Sequence, residues 1–135
     1  MKITIYSNLK KCPSDYKAAL NEYIKRISAF AELKVIYRNK STTVLKRKKD
    51  SFNIFVSCDT NSPSSVQFAD MINNITLSGY SSINFLMAPD MAEKSENDYT
   101  ISLSSFTLSD ELSDIVMAEQ IYRAFCINNN ITYHK

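Results

Sequence analysis

Ser102-Leu103-Ser104-Ser105-Phe106-Thr107-Leu108-Ser109-Asp110-Glu111-Leu112 opens the last third of the chain, and its reading decides the fold. The alternating start, free of Gly and Pro, predicts a strand end that runs into a tight loop. Ser109 is placed to cap a helix, and Asp110, Glu111 and Asp114 bring negative charge to its positive N-terminal end. From Leu112 the pattern turns helical, with Ile115, Val116, Met117, Ala118, Ile121, Tyr122, Ala124, Phe125 and Cys126 covering most of the circumference. A helix apolar nearly all round is buried on two sides. In so short a chain, a second copy is the expected cover for one of them. The tail Asn128–Lys135 is polar and carries His134, the only histidine.

Working upstream, Tyr99–Ser104 reads as the last strand and Ile83–Met87 as the one before it. Between Asp59 and Gly79 lies a turn, then Ser64-Ser65-Val66-Gln67 with capping-box spacing. The helix that follows packs Phe68, Ile72 and Ile75 and stops near Gly79, the only glycine. Phe52–Cys58 is an apolar strand of the kind buried in a parallel sheet. Leu33–Tyr37 and Lys2–Tyr6 are two further strands. Between them Ser14 is placed to cap a helix reaching about Ala31, with Tyr16, Leu20, Tyr23, Ile24 and Ile27 at three- and four-residue steps. Strands alternating with helices predict an α/β layer with a mostly parallel sheet, as a single domain over residues 1–135.

The chain holds 135 residues, 44% of them hydrophobic, enough for one modest core. No run approaches the roughly 18–20 apolar residues of a membrane span, and Met1–Tyr6 reads as a strand rather than a leader. Cys12, Cys58 and Cys126 are odd in number and widely spaced, which predicts reduced thiols and a cytoplasmic protein. One histidine and no paired cysteines argue against a metal site. Net charge is only +2, but residues 1–50 hold 13 Lys/Arg against 4 Asp/Glu, and residues 51–135 hold 3 against 10. Six of the basic residues fall in Arg38–Asp50. That segment reads either as a solvated surface loop or as an arm that contacts nucleic-acid phosphates.

Ser102-Leu103-Ser104…Thr107-Leu108, then Ala118-Glu119-Gln120-Ile121-Tyr122-Arg123-Ala124-Phe125, then Tyr133-His134-Lys135 closely resemble the ribosomal RNA large subunit methyltransferase H family. The resemblance is sharp over Ser102–Lys135 and general in element order upstream. It implies a C-terminal trefoil knot of the SPOUT type and a homodimer acting on the ribosome. It also implies S-adenosyl-L-methionine as cofactor and methylation of a pseudouridine N3 in large-subunit ribosomal RNA. By the same resemblance Cys58, Ala88, Leu103, Ser104, Ser105, Phe106, Thr107 and Leu108 form the cofactor pocket. The resemblance further implies that Tyr133, His134 and Lys135 serve catalysis, with His134 and Lys135 helping the imide-like N–H lose its proton and Tyr133 positioning the base.

Several positions depart from the family's pattern. Met87-Ala88-Pro89-Asp90 stands where relatives carry a glycine-rich loop, so a Cβ takes space and Pro89 removes a donor. Relatives usually have Leu at Cys58, His-Pro at Ile131-Thr132, and a His and a basic residue at Asp110 and Asp114. Two acids there, on the expected RNA side, would repel phosphate. These departures support an alternative reading, a knotted dimer with lost or weak cofactor binding that acts as an RNA- or ribosome-binding protein. An unrelated nucleotide-binding module ranks last, because no glycine-rich phosphate loop is present.

Overall fold

The structure, a computed structural model, describes residues 1–38, 48–87 and 99–134. In chain order it runs β1 (Lys2–Tyr6), α1 (Ser14–Ile27), β2 (Glu32–Ile36), β3 (Ser51–Ser57), α2 (Ser65–Leu77), β4 (Ser82–Leu86), β5 (Tyr99–Ser102) and α3 (Asp110–Asn128). The five strands form one all-parallel sheet in the order β2-β1-β4-β3-β5. Each strand boundary falls close to where the sequence pattern puts it. The α/β class and the parallel sheet are thus as expected.

Register decides what each face of the sheet buries. Ile5, Val35, Phe85 and Ile54 stand in one row across four strands, and Ile3, Leu33, Ile83 and Phe52 in the next. With Val56 and Ile101 they face Leu20 and Ile27 of α1, Phe68, Ala69, Ile72 and Ile75 of α2, and Met117, Ala118, Ile121 and Ala124 of α3, in one continuous core. All three described helices therefore share one face. The connections β1-α1-β2 and β3-α2-β4 step along the sheet in the same direction, and right-handed crossovers then place both helices on the same side. The opposite face is more polar: Ser51 and Ser82 hydroxyls meet at 2.6 Å, and Asn84 Nδ2 donates to Asn53 Oδ1 at 3.0 Å.

Caps define the helices. Ser64 Oγ accepts from the Gln67 N–H at 3.1 Å while Gln67 Oε1 accepts from the Ser64 N–H at 2.9 Å, the expected capping box. Beyond α2, Gly79 adopts φ +93, a left-handed turn open to glycine. Ser109 caps α3 by accepting from the Leu112 N–H at 3.2 Å. Helix α1 differs from expectation. Its N-cap is Pro13, and Ser14 is the first helical residue with no capping bond. The helix also ends at Ile27 rather than Ala31, because Ser28 to Phe30 form a turn that leads into β2.

Helix α3 packs against α1 on one side and α2 on the other, with the sheet beneath it. Two sides of its apolar circumference are thus covered within one chain. Leu112 stays exposed and Ile115, Val116, Tyr122 and Phe125 stay half-buried, so part of the circumference is left uncovered by these helices. The stacked rings of Phe30 and Phe125, 5.5 Å apart and 3° from parallel, close the α1 side. From β5 the chain returns across the strand ends to α3, whose first residue Asp110 accepts from Asn8 Nδ2, beyond β1. The knot expected from the resemblance depends on residues 88–98, which lie outside the described residues.

Candidate functional site

The carboxyl ends of parallel strands are where open α/β sheets place ligands, because the connections there diverge. In this sheet the ends of β1, β4, β3 and β5 border a cleft of about 220 Å³. Its walls are Val56, Met87, Leu103 and Leu108, with Asn8, Ser57, Cys58, Thr107, Asp110, Ser113 and Asp114 adding polar groups. Backbone bonds hold the rim in place: Met87 N–H donates to Tyr6 O at 2.9 Å and Leu103 N–H to Ser57 O at 2.7 Å. The Ser102 hydroxyl accepts from the Asp59 N–H at 2.8 Å and donates to Asp59 O at 2.7 Å. One buried serine thus locks the loop after β3 to the end of β5.

Of the residues assigned to a cofactor pocket, Cys58, Leu103, Thr107 and Leu108 come together at this cleft. Ser104, Ser105 and Phe106 do not line it. Ser104 Oγ instead accepts from the Phe106 N–H at 3.0 Å, tightening the turn, and the Phe106 side chain is 82% exposed. Ala88 lies outside the described residues. The thiols of Cys12, Cys58 and Cys126 are free.

Asp114 corrects a sequence expectation. Rather than facing outward where it would repel phosphate, it is 3% exposed. Its Oδ2 accepts from Ser7 Oγ at 2.5 Å, and Ser7 Oγ in turn accepts from the Leu9 N–H at 3.1 Å. Burial pushes the Asp114 carboxyl up from 3.8 to about 6; the Ser7 bond opposes this, while Asp110 and Glu111 add to it. The spacing already held this placement. Asp114, Met117, Ala118 and Ile121 follow the i, i+3, i+4, i+7 pattern of one helix face, and the last three are core. Asp110, one turn earlier, is exposed and bonded to Asn8, whose Oδ1 accepts from Arg38 Nη1 at 3.0 Å. Residues 39–47, most of the basic segment, lie outside the described residues.

Tyr133 and His134 assemble elsewhere, on the α1–α3 surface. Glu119 Oε1 accepts from Arg123 Nε at 3.0 Å and Nη2 at 2.6 Å, and from the Tyr133 hydroxyl at 3.2 Å. Arg123 Nη1 meets His134 Nδ1 at 2.9 Å and its guanidinium lies 5.0 Å from the Tyr133 ring centroid. The Tyr133 ring stands edge-on to Tyr122 at 4.8 Å, and Arg26 sits over Tyr122 at 5.8 Å. Burial first, then bonds to Tyr23 and Glu119, push the Tyr133 phenol up to about 12, so it stays protonated near neutrality. The sequence motif Glu119-Gln120-Ile121-Tyr122-Arg123 therefore organises the tail. Lys135 lies outside the described residues.

Cleft and tail do not meet within one chain. Glu119, Tyr122 and Arg123 lie about nine residues beyond Asp110, Ser113 and Asp114 on α3, roughly 13 Å along its axis. Among the described residues no cluster of His, Cys, Asp and Glu is placed to hold a metal ion, and no helix is long and apolar enough to cross a membrane.

Comparison with known proteins spans the whole chain. A family described as a predicted SPOUT methyltransferase matches residues 1–134. The ribosomal RNA large subunit methyltransferase H of Ruminiclostridium cellulolyticum is 31% identical, with all of both chains covered. The putative ribosomal RNA large subunit methyltransferase H of Methanococcus maripaludis is likewise 31% identical over all of both chains. That of Oenococcus oeni is 29% identical over 89% of this chain and 90% of its own. The first of these alignments runs over 159 positions against the 135 residues here, so this chain lacks segments its relative carries. With the family matching from β1 through the C-terminal tail, the chain belongs to the SPOUT methyltransferases.

Proposed function

We propose that this chain is an S-adenosylmethionine-dependent methyltransferase that modifies large-subunit ribosomal RNA, with a pseudouridine N3 as acceptor. The observation that carries the reading is the end-to-end similarity to large subunit methyltransferases H, joined to a cleft at the strand ends. The residues present fit the cofactor in kind. Val56, Met87, Leu103 and Leu108 offer apolar walls for a flat adenine, and Asp114 Oδ1 is a buried acceptor without a partner. When bound, the cofactor supplies an electrophilic methyl group on its sulfonium. The chain's own part is alignment, which supplies much of the rate in such transfers. Lys10, Lys11 and Lys17 line a groove beside the β1–α1 connection and offer positive charge to an RNA backbone. Ribosomal RNA as substrate places the protein in the cytoplasm.

The same reading makes the protein a homodimer. Tyr133 and His134 lie away from their own chain's cleft, so a second copy would be needed to bring a tail to it. The half-buried Tyr122 face of α3, with the Leu112 side chain 41% exposed, is the proposed contact. Tyr122→Asp is expected to convert dimers to monomers, measured by light scattering. A variant that remains dimeric would place the interface elsewhere.

The function is tested by calorimetric titration with S-adenosylmethionine, followed by incubation with ribosomes lacking the modification and mass analysis of the RNA. Binding at about one site per chain and one added methyl are expected. A folded protein that binds no cofactor but does bind ribosomes would instead support the RNA-binding alternative, which rests on the glycine-free stretch Met87-Ala88-Pro89-Asp90.

A further inference from the structure

Asp114 Oδ1 is the one buried side-chain oxygen or nitrogen among the described residues that has no hydrogen-bond partner. Leaving an acceptor buried and unpaired is costly, and a carboxylate more so than a neutral group. The side chain is not free to turn away, because Ser7 Oγ holds the other oxygen at 2.5 Å and is itself fixed by the Leu9 N–H. Asp114 lines the cleft together with Asp110, and among the described residues no Lys, Arg or His lines it. Among the described residues, the charged and titratable groups around it are Asp110 and Glu111 on its own helix, Tyr37 beyond β2 and the Cys58 thiol in the cleft wall. Beyond β1, Asn8 bonds Arg38 outside the cleft lining.

We infer that Asp114 is a specificity-determining residue that makes this cleft select a cationic ligand, favouring S-adenosylmethionine over the neutral thioether S-adenosylhomocysteine left after transfer. The inference rests on the proposed function and deepens it. The two ligands share adenosine and the amino-acid arm, and differ in a methyl group and the sulfonium charge. A carboxylate fixed in a partly shielded cleft distinguishes them through that charge, by about ten- to a hundredfold. The same preference assists turnover, since the product loses the attraction that held the cofactor. Because burial has raised the Asp114 carboxyl to about 6, the preference is complete on the alkaline side and fades as the group takes up its proton.

Calorimetry with both ligands, on wild type and Asp114→Asn, tests this at about pH 8 and about pH 5. Wild type is expected to bind S-adenosylmethionine at least about tenfold more tightly than S-adenosylhomocysteine at the higher pH, with the ratio falling at the lower. In the variant the two affinities converge to within about twofold at both pH values, through loss of the methionine form alone. The melting temperature of the ligand-free variant should not drop at the higher pH. Equal weakening of both ligands would assign Asp114 a merely structural role and overturn the inference. So would an unchanged ratio. Should the variant fail to fold, a pH-independent wild-type ratio would overturn it alone. Wild type binding neither ligand would overturn the proposed function together with this inference.

Discussion

Phe85→Ala is expected to lower folding stability by about 3–5 kcal/mol, the range for deleting a fully buried aromatic ring. Phe85 is 0% exposed on β4, the central strand of the sheet. Ile5 flanks it on one side and Ile54 on the other, and the Phe68 ring of α2 lies 6.0 Å away. Two rigid strands and a helix meet at this ring, so the surroundings cannot collapse into the space it leaves. Against a total of about 5–15 kcal/mol for a typical domain, such a loss brings the protein close to unfolding at ambient temperature. Met87, two residues on, forms part of the cleft, so ligand binding should weaken as well. Urea titration measures the change. As a control, Leu77→Ala at a side chain 76% exposed should shift stability by less than about 1 kcal/mol. If both variants lost the same small amount, Phe85 would not be the keystone of the core.

The ligand-free protein is expected to become less stable as pH rises from about 4 to 7, contrary to the usual behaviour of carboxylates. Most carboxylates in folded proteins are paired, and their lowered pKa adds stability as pH increases. Asp114 is shifted the other way, from 3.8 to about 6, chiefly by burial. The native state thus holds this proton more tightly than the unfolded chain. Its stabilising contribution is complete below the unfolded pKa and is lost as pH rises through about 6. Two pKa units correspond to about 3 kcal/mol. Denaturant midpoints across this window should fall for wild type and stay level for Asp114→Asn. The asparagine keeps an acceptor for Ser7 but leaves an N–H unpaired at a cost of about 1–3 kcal/mol, so its net gain near pH 8 is small. A wild-type midpoint that climbs with pH would show that the carboxyl is solvated.

Local signals told the truth about local structure. Ser64 with Gln67, Ser109 before its helix and Gly79 after another each depend on atoms within a turn of one another, and each appears as read. Strand limits were legible because alternation and turn residues are also short-range. What escaped was non-local. Ser14 is the local exception: Pro13 beside it takes the cap position with an extended backbone that already sets the helix entry. Asp114 reads as a first-turn acid until Ser7, 107 positions away, arrives to bond it. The apolar breadth of α3 has a simple cause, two neighbouring helices over one sheet, which no count along a single helix can separate from a partner chain. Of the segment Leu103–Leu108, only Leu103, Thr107 and Leu108 line the cleft. Side-chain direction in an irregular loop follows no period, and Phe106 points to solvent in the middle of it.

The order β2-β1-β4-β3-β5 also sets a timetable for a growing chain. Strand β1 emerges first and acquires β2 early, but its other neighbour, β4, begins only at Ser82. At about 5–20 residues per second, one edge of β1 stays bare for roughly 4–15 seconds of synthesis. During that interval the edge of β1 that pairs with β4 in the finished sheet has no strand beside it. The cleft comes later still, since Asn8 and Asp114 must meet across nearly the whole polypeptide. Assembly of the cleft is therefore a late step, and parallel pairings of such separation are slow to form.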